Sequence, residues 1–407
     1  MSYIQKGTPQ YWRAISALFL GTLASFGIMY CTQPLIPVFS SHFGLSPSVA
    51  SLAMSASSAG LAVSMSLIAA LAGYLDRKLT MAVALAGATL VTAVLAVSDN
   101  FAVIVVCRAL QGLLIAGFPA IAVAYVNEEF APDIIGLVVG IYISGTTIGG
   151  LFSRLFVSTL TDHFSWHIAL GGIGLLGAVI TVWFWFSIPR SRHFAPQRQL
   201  PPHLAAALLR SMLQNLRNPV TLKLYLIAFA LMGAFIAVYN FIAYPLMAPP
   251  YNFSQTAVGA IFLTYLVGTF SSTFMGGLAD RFGSEKILCL AIAIMLAGAV
   301  LTLAVSLVVK LAGLAVFTYG FFGAHSTACS WVGKSCTGDK AQAASLYLLF
   351  YYCGASVVGT AGGIFLARYG WPGVIFLIGL MAGGALLLAA SLYTAAPRHG
   401  EAKYQQS

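Results

Sequence analysis

Two arginines, one histidine and a set of tyrosines and amides stand inside long apolar runs, where a polar group needs a partner or a task. Arg108 and Arg154 each lie several residues inside an apolar segment, roughly 10 Å along a helix at 1.5 Å per residue. A guanidinium at that depth in hydrocarbon costs several kcal/mol unless it meets water, a dipole or a counter-charge. No carboxylate supplies one from mid-segment. Asp76, Glu128, Glu129, Asp133, Asp280, Glu285 and Asp339 fall at one set of segment ends, and Asp99 and Asp162 at the opposite set. An interior so composed is neutral to positive. It suits a neutral polar or anionic solute and offers no counter-charge to a lipophilic cation. Other readings stand beside this one: Arg154 reaches the nearby surface or pairs with Asp162, and Arg108 serves structure alone.

His325 is the one mid-segment group that titrates near neutrality. It is the candidate proton carrier, exchanged against solute; the alternative is a neutral imidazole hydrogen-bonded within the bundle. Tyr30 and Gln33 match Tyr239 and Asn240 in the second half of the chain, and Tyr142, Tyr347, Tyr351 and Tyr352 add further aromatic bodies with one polar tip. Such groups suit a site that binds a polar solute and releases it, although tyrosine also gathers at membrane interfaces. Metal and cofactor chemistry have no footing: the six cysteines show no CxxC spacing, and no Walker loop is present. No cofactor is expected, no metal, and no enzymatic activity.

The elements that must position these residues follow from composition. Of 407 residues, 59% are hydrophobic and 7% charged, against about 25% charged in a soluble domain. No globule of this size hides that much apolar surface from water, so the partner of the chain is the lipid bilayer. Apolar segments fall at about 14–39, 48–74, 79–97, 101–126, 134–160, 166–187, 221–247, 255–278, 286–307, 311–332, 342–367 and 371–393. Each suffices for one crossing at ~20 residues. The expected fold is all-α, a polytopic membrane protein of twelve spans.

Lys and Arg set the orientation. With the N-terminus in the cytoplasm, inner loops and tails hold sixteen of them, and the outer loops hold only Lys310 and Arg368. This is a positive-inside pattern with both termini cytoplasmic. It also accounts for the net charge of +10, so no nucleic-acid partner is implied. Residues 188–220, with Pro189, Pro196, Pro201, Pro202 and Pro219, divide an N-terminal six-helix bundle (1–187) from a C-terminal one with its short cytoplasmic tail (221–407). Within that linker, Leu204, Leu208, Met212 and Leu216 recur every four residues opposite Arg210, Gln214 and Arg217. They describe either an amphipathic helix on the inner surface or a partly ordered connector.

The halves repeat. Gly73-Tyr74-Leu75-Asp76-Arg77 returns as Gly277-Leu278-Ala279-Asp280-Arg281, Gly149-Gly150 as Gly362-Gly363, Trp166 as Trp371, and Pro34-Leu35 as Pro245-Leu246. A duplicated six-span unit is a transporter architecture with its solute site between the halves. The glycines of spans four, five and eleven (Gly112, Gly117, Gly136, Gly140, Gly145, Gly149, Gly359, Gly362 and Gly363) let backbones approach and slide.

These features resemble the major facilitator superfamily. The Asp76-Arg77 loop and its echo Asp280-Arg281 resemble that superfamily's motif A, Arg108-Ala109-Leu110-Gln111-Gly112 its motif B, and Gly136, Gly145 and Gly149 the glycine spacing of motif C, the mark of the 12-span drug:proton antiporter branch. Gly320-Phe321-Phe322-Gly323-Ala324-His325-Ser326 and Ala341-Gln342-Ala343-Ala344-Ser345-Leu346-Tyr347 are similar to the YnfM-type inner-membrane transporters, described as efflux permeases. The resemblance implies a gate at Asp76, Arg77, Asp280 and Arg281, and brings Gln111 into the candidate solute-binding set beside Arg108. It further implies a monomeric, proton-linked secondary transporter of a bacterial inner membrane, exporting a small solute by alternating access. A uniporter or importer of the same fold is the nearest alternative; a membrane sensor or enzyme without transport is the distant one. The sequence departs from the pattern in three places. Gly150 stands where motif C has proline, Leu79 stands where the second motif A has Gly283, and span one has no acid.

Overall fold

The computed structural model describes residues 3–195, 204–336 and 340–395. Pro196, Pro201, Pro202, Asp339, Arg398 and Lys403 of the sequence reading lie outside the described residues. Among the described residues the chain is helical, with one isolated bridge, Ile4 to Phe130, in place of any strand.

Among the described residues, eleven helices are long and apolar enough to cross a membrane: Pro9–His42, Leu52–Tyr74, Arg77–Ala96, Phe101–Glu129, Ile135–His163, Trp166–Ser187, Pro219–Met247, Gln255–Phe282, Ser284–Leu301, Leu307–Ser335 and Gln342–Tyr393. The last has 52 residues, more than twice what one crossing needs. It breaks at Gly370, whose φ of 64° and ψ of −158° are open to glycine alone. Two crossings result, on either side of Gly370, and the spans number twelve. They are called spans one to twelve in chain order.

Local chemistry fixes where seven of the helical stretches begin. Thr8, Ser46, Asp76, Asn100, Ser165, Asn218 and Ser254 each accept a hydrogen bond from a backbone N–H two or three residues on, the N-cap that removes an orphan donor from lipid or protein interior. Pro9, Pro47 and Pro219 follow their caps at the first helical position. Lys310 belongs to the first turn of span ten rather than to a loop, and its ammonium donates to Thr302 O. The second part of the linker forms the helix Leu204–Arg217. Its Met212 and Leu216 pack on the main core, while Arg210 and Arg217 are exposed.

The molecule is inside-out relative to a soluble protein. Leu90, Val106, Leu175, Phe270 and Leu387 are more than half exposed, whereas Gln33, Arg108, Arg154 and Asn240 are buried. Lipid is the solvent that this distribution fits.

Span five packs on span one, span four on span two and span seven on span eleven; across the halves, span two meets span eleven and span five meets span eight. The hydrogen bonds that join the halves cluster at the end carrying Asp99 and Asp162. Gln33 Nε2 donates to Asn240 Oδ1 at 2.9 Å, Gln255 Nε2 to Pro34 O at 2.6 Å, Ser48 Oγ to Thr360 O at 3.0 Å, and Thr256 N and Oγ1 to Asp162 Oδ2 at 3.1 and 2.7 Å. Two glycines permit this closure. A Cβ on Gly363 would stand 2.4 Å from Ser48 Cα, and one on Gly259 2.5 Å from Ser158 Cβ.

Candidate functional site

Pro34 shapes the centre of the bundle. Lacking an N–H and clashing with the carbonyl four residues back, proline cannot continue a helix, and the first helical stretch of span one ends at Tyr30. The last-turn carbonyls of Ile28 and Met29 are thereby left to other donors. Arg108 takes both. Its Nε donates to Ala53 O at 2.7 Å, Nη1 to Ile28 O and Gln111 Oε1 at 2.8 and 2.7 Å, and Nη2 to Met29 O and, at 2.7 Å, to Ser57 Oγ. All five N–H donors of the guanidinium are engaged, and the side chain has no exposed surface. Gln111 is consumed likewise, its Nε2 donating to Thr92 Oγ1 at 2.8 Å. Arg108 and Gln111 were expected at the solute site. Here they are placed instead in a closed knot tying spans one to four, with no donor left for a solute.

Arg154 has another environment. Its Nε and Nη2 donate to Gln33 Oε1 at 2.8 and 2.6 Å and its Nη1 to Gly150 O at 2.8 Å. Two N–H groups remain beyond these three bonds. The guanidinium sits 4.2, 4.7 and 4.9 Å from the ring centres of Tyr30, Phe262 and Tyr265, cation–π contacts that offset part of its burial. Asp162, the acid considered as its partner, is bonded to Thr256 instead. Gly150 is now intelligible: a Cβ there would stand 3.0 Å from Arg154 Nη1 and 3.3 Å from the Tyr30 ring. A side chain at this departure from motif C would crowd the arginine.

Around Arg154 lies a cavity of about 250 Å³ between the halves, lined from spans one, five, seven, eight, ten and eleven. Tyr30, Arg154, His325 and Tyr351 line it, as do Gly150 and Tyr352. The remaining candidates stand just behind its wall. Gln33 and Asn240 carry the contact from Arg154 into the second half. Tyr239 donates or accepts at Thr264 Oγ1 and Thr318 Oγ1, both at 2.6 Å, beneath Tyr265. The Tyr347 hydroxyl lies 2.9 Å from His325 Nδ1, and the imidazole stacks between Phe321 and Tyr351 at 6.0 and 4.6 Å. Tyr142 does not reach the wall; it is buried in the core of the first half.

Sequence reasoning missed Tyr265, Phe26, Phe235, Phe321 and Phe322 and the hydroxyls of Thr146 and Thr147, all of which line the cavity. The usable signal was the helical spacing Phe26–Tyr30 and Phe321–His325, four residues apart. Tyr265 matters most. Its hydroxyl is buried without a hydrogen-bond partner among the described residues, as is Asn240 Nδ2, and an unmet buried polar group costs about 1–3 kcal/mol. A solute that supplies the partner recovers that cost.

At the other end of the bundle, the duplicated Asp-Arg loops bond within their own halves. Asp76 Oδ1 accepts from Leu79 N at 2.7 Å, and Arg77 pairs with both carboxylate oxygens of Glu128 at 3.0 and 2.6 Å and lies 3.6 Å over Phe194. Asp280 Oδ1 lies 2.9 Å from Lys334 Nζ, and Arg281 lies over Phe282. Among the described residues these contacts do not cross between the halves.

Comparison with known proteins places the whole chain. A family model described as Major Facilitator Superfamily matches residues 18–332 and 226–406. The MFS-type transporter YybF of Bacillus subtilis (strain 168) is 41% identical over 392 residues, 96% of each chain. The inner membrane transport protein YnfM of Escherichia coli (strain K12) is 39% identical over 391 residues, 96% of this chain and 93% of its own. Among solved structures, a bacterial homologue of the human lysosomal transporter Spinster, in an inward-facing and occupied conformation, superposes with a TM-score of 0.74 at 14% identity. The match covers 96% of this chain and 97% of that one.

Proposed function

The chain belongs to the Major Facilitator Superfamily, whose members here are integral membrane transporters and not enzymes, and from that premise we propose that it exports a small neutral polar or anionic solute in exchange for protons. The observation that carries the reading is Arg154, bonded by Gln33 and Gly150 with two N–H groups to spare, in a cavity of about 250 Å³ without a carboxylate in its lining. A carboxylate or hydroxyl of the solute takes those N–H groups and the Tyr265 hydroxyl. The volume restricts cargo to small molecules.

Alternating access follows from the two ends. The halves meet through Gln33, Ser48 and Asp162 at the end assigned to the periplasm by the charge distribution. We read these contacts as the closed end of a state that admits a solute for export from the cytoplasmic side. Asp76, Arg77, Asp280 and Arg281, now bonded within each half, then engage across the seam when that end closes. His325 carries the proton: it faces the same cavity as Arg154 and is oriented by Tyr347.

The test is solute counterflow and efflux in proteoliposomes with an imposed pH gradient. The proposal expects an inward proton gradient to drive efflux, and His325→Gln to abolish the pH dependence while counterflow persists. Efflux indifferent to the gradient in the wild-type protein favours the uniporter reading.

A further inference from the structure

A second polar hollow, of about 530 Å³, opens away from the central cavity where spans one and six end, lined by Thr8, Gln10, Arg13, Phe186, Pro189 and Arg192. Arg13 Nη2 donates to Phe186 O at 2.7 Å, and Lys78 Nζ to Ile188 O at 2.9 Å. Arg13 and Arg192 line the hollow, Lys78 is bonded to its lining residue Ile188, and Arg190 follows its lining residue Pro189. The ion pairs among the described residues engage none of them. The nearby acids are committed elsewhere: Glu128 to Arg77, Glu129 to Ser191 Oγ and the backbone N–H groups of Arg192 and His193, and Asp76 to the N-cap of span three.

An apolar cavity of about 270 Å³ lies farther along the same seam, lined by Leu20, Leu23 and Gly27 of span one and by Ile173, Leu176 and Ile180 of span six. Arg13, Ser16, Leu20, Leu23 and Gly27 form one stripe of span one at steps of three and four, as do Ser187, Trp183, Ile180, Leu176 and Ile173 on span six. Seven to fourteen residues separate Arg13 from this cavity, roughly 10–20 Å along the helix. Acyl chains occupy that depth beneath their phosphate in a leaflet about 15 Å thick. Between the two cavities, half-exposed Trp183 donates from Nε1 to Ser16 Oγ at 3.3 Å, where an interfacial tryptophan sits.

We propose that this seam is a binding site for an anionic phospholipid, with its phosphate in the hollow lined by Arg13 and Arg192, beside Lys78 and Arg190, and an acyl chain in the apolar cavity between spans one and six. Basic hollows between spans attract anionic headgroups. A free phosphate ion has the same headgroup chemistry, but the apolar cavity along the seam gives it nothing, so the occupant is the lipid. The site does not depend on the direction or coupling of transport.

Native mass spectrometry of the delipidated full-length protein tests this, with phosphatidylglycerol, phosphatidylcholine and inorganic phosphate as probes. Phosphatidylglycerol is expected to be retained about 10-fold more than phosphatidylcholine, and the paired substitution Arg13→Gln with Arg192→Gln brings it to the phosphatidylcholine level. Leu176→Trp, which fills the apolar cavity, weakens retention of phosphatidylglycerol with all four cations in place. Should the paired variant fail to fold, Arg192→Gln alone, at an exposed residue, is expected to lower retention in the same direction. Equal retention of the two lipids, retention indifferent to these substitutions, or displacement of phosphatidylglycerol by millimolar inorganic phosphate overturns the proposal.

Discussion

Arg108 and Arg154 are equally deep in sequence and equally buried in the structure, yet their hydrogen bonds give them opposite tasks. Arg108 spends five N–H groups on Ala53, Ile28, Met29, Ser57 and Gln111. Arg108→Gln leaves carbonyls unmet in the interior of the first half, a loss of about 3–5 kcal/mol, read as a lower melting temperature and poor yield of folded protein. Arg154→Gln is expected to keep the melting temperature within a few degrees and to lower transport kcat/KM at least 10-fold, because it removes two otherwise unbonded N–H groups from a residue that lines the cavity. Tyr265→Phe separates solute binding from stability again: its hydroxyl has no partner to lose, so the fold is unchanged while KM rises. Depth and the missing carboxylate were legible in sequence. The number of free N–H groups was not, since three of the five partners of Arg108 are backbone carbonyls up to 80 residues away, two of them freed by the helix end that Pro34 imposes. The hydroxyl of Tyr265 was equally hidden, because nothing in one helix reports what its neighbours fail to offer.

Among the elements, glycine decides which contacts are permanent and which are made and broken. Gly112, Gly145 and Gly149 hold spans together inside the first half; a Cβ on Gly149 would stand 2.3 Å from Leu23 O, and one on Gly112 2.1 Å from Ser57 O. Gly136 and Gly140, given the same duty in the sequence reading, have nothing within 4 Å of a Cβ and join no seam. Gly363 differs in standing against Ser48 across the halves. Gly363→Leu is therefore expected to leave each half folded and to hold the Ser48 end open, whereas Gly149→Leu strains the first half by about 1–3 kcal/mol. Distances between spin labels on the two halves at that end check this; an unchanged distribution in the Gly363 variant contradicts it. The spans themselves were readable to within a few residues, because hydropathy and the N-caps act within one helix. Which glycine lies on a seam depends on the facing helix, and one sequence does not show it.

For the whole molecule, twelve spans in a twofold repeat enclose an arginine that no acid in the cavity lining neutralises, and the proposed cargo rests on that charge. The repeat was visible in the paired Asp-Arg loops and paired Gly-Gly steps, and a cavity does lie between the halves. What sequence overstated was the charge in that place: two arginines were expected, and Arg108 has withdrawn from the cavity. One guanidinium framed by Tyr30, Phe262 and Tyr265 still repels cations and attracts small anions. The most direct test is competitive counterflow in proteoliposomes with a panel of small carboxylates, neutral sugars and lipophilic cations, run on wild-type protein and on Arg154→Gln. Transport of a carboxylate or neutral polar solute that is lost in Arg154→Gln is the predicted result. Transport of cationic dyes with no response to carboxylates, or a selectivity indifferent to Arg154, contradicts the account.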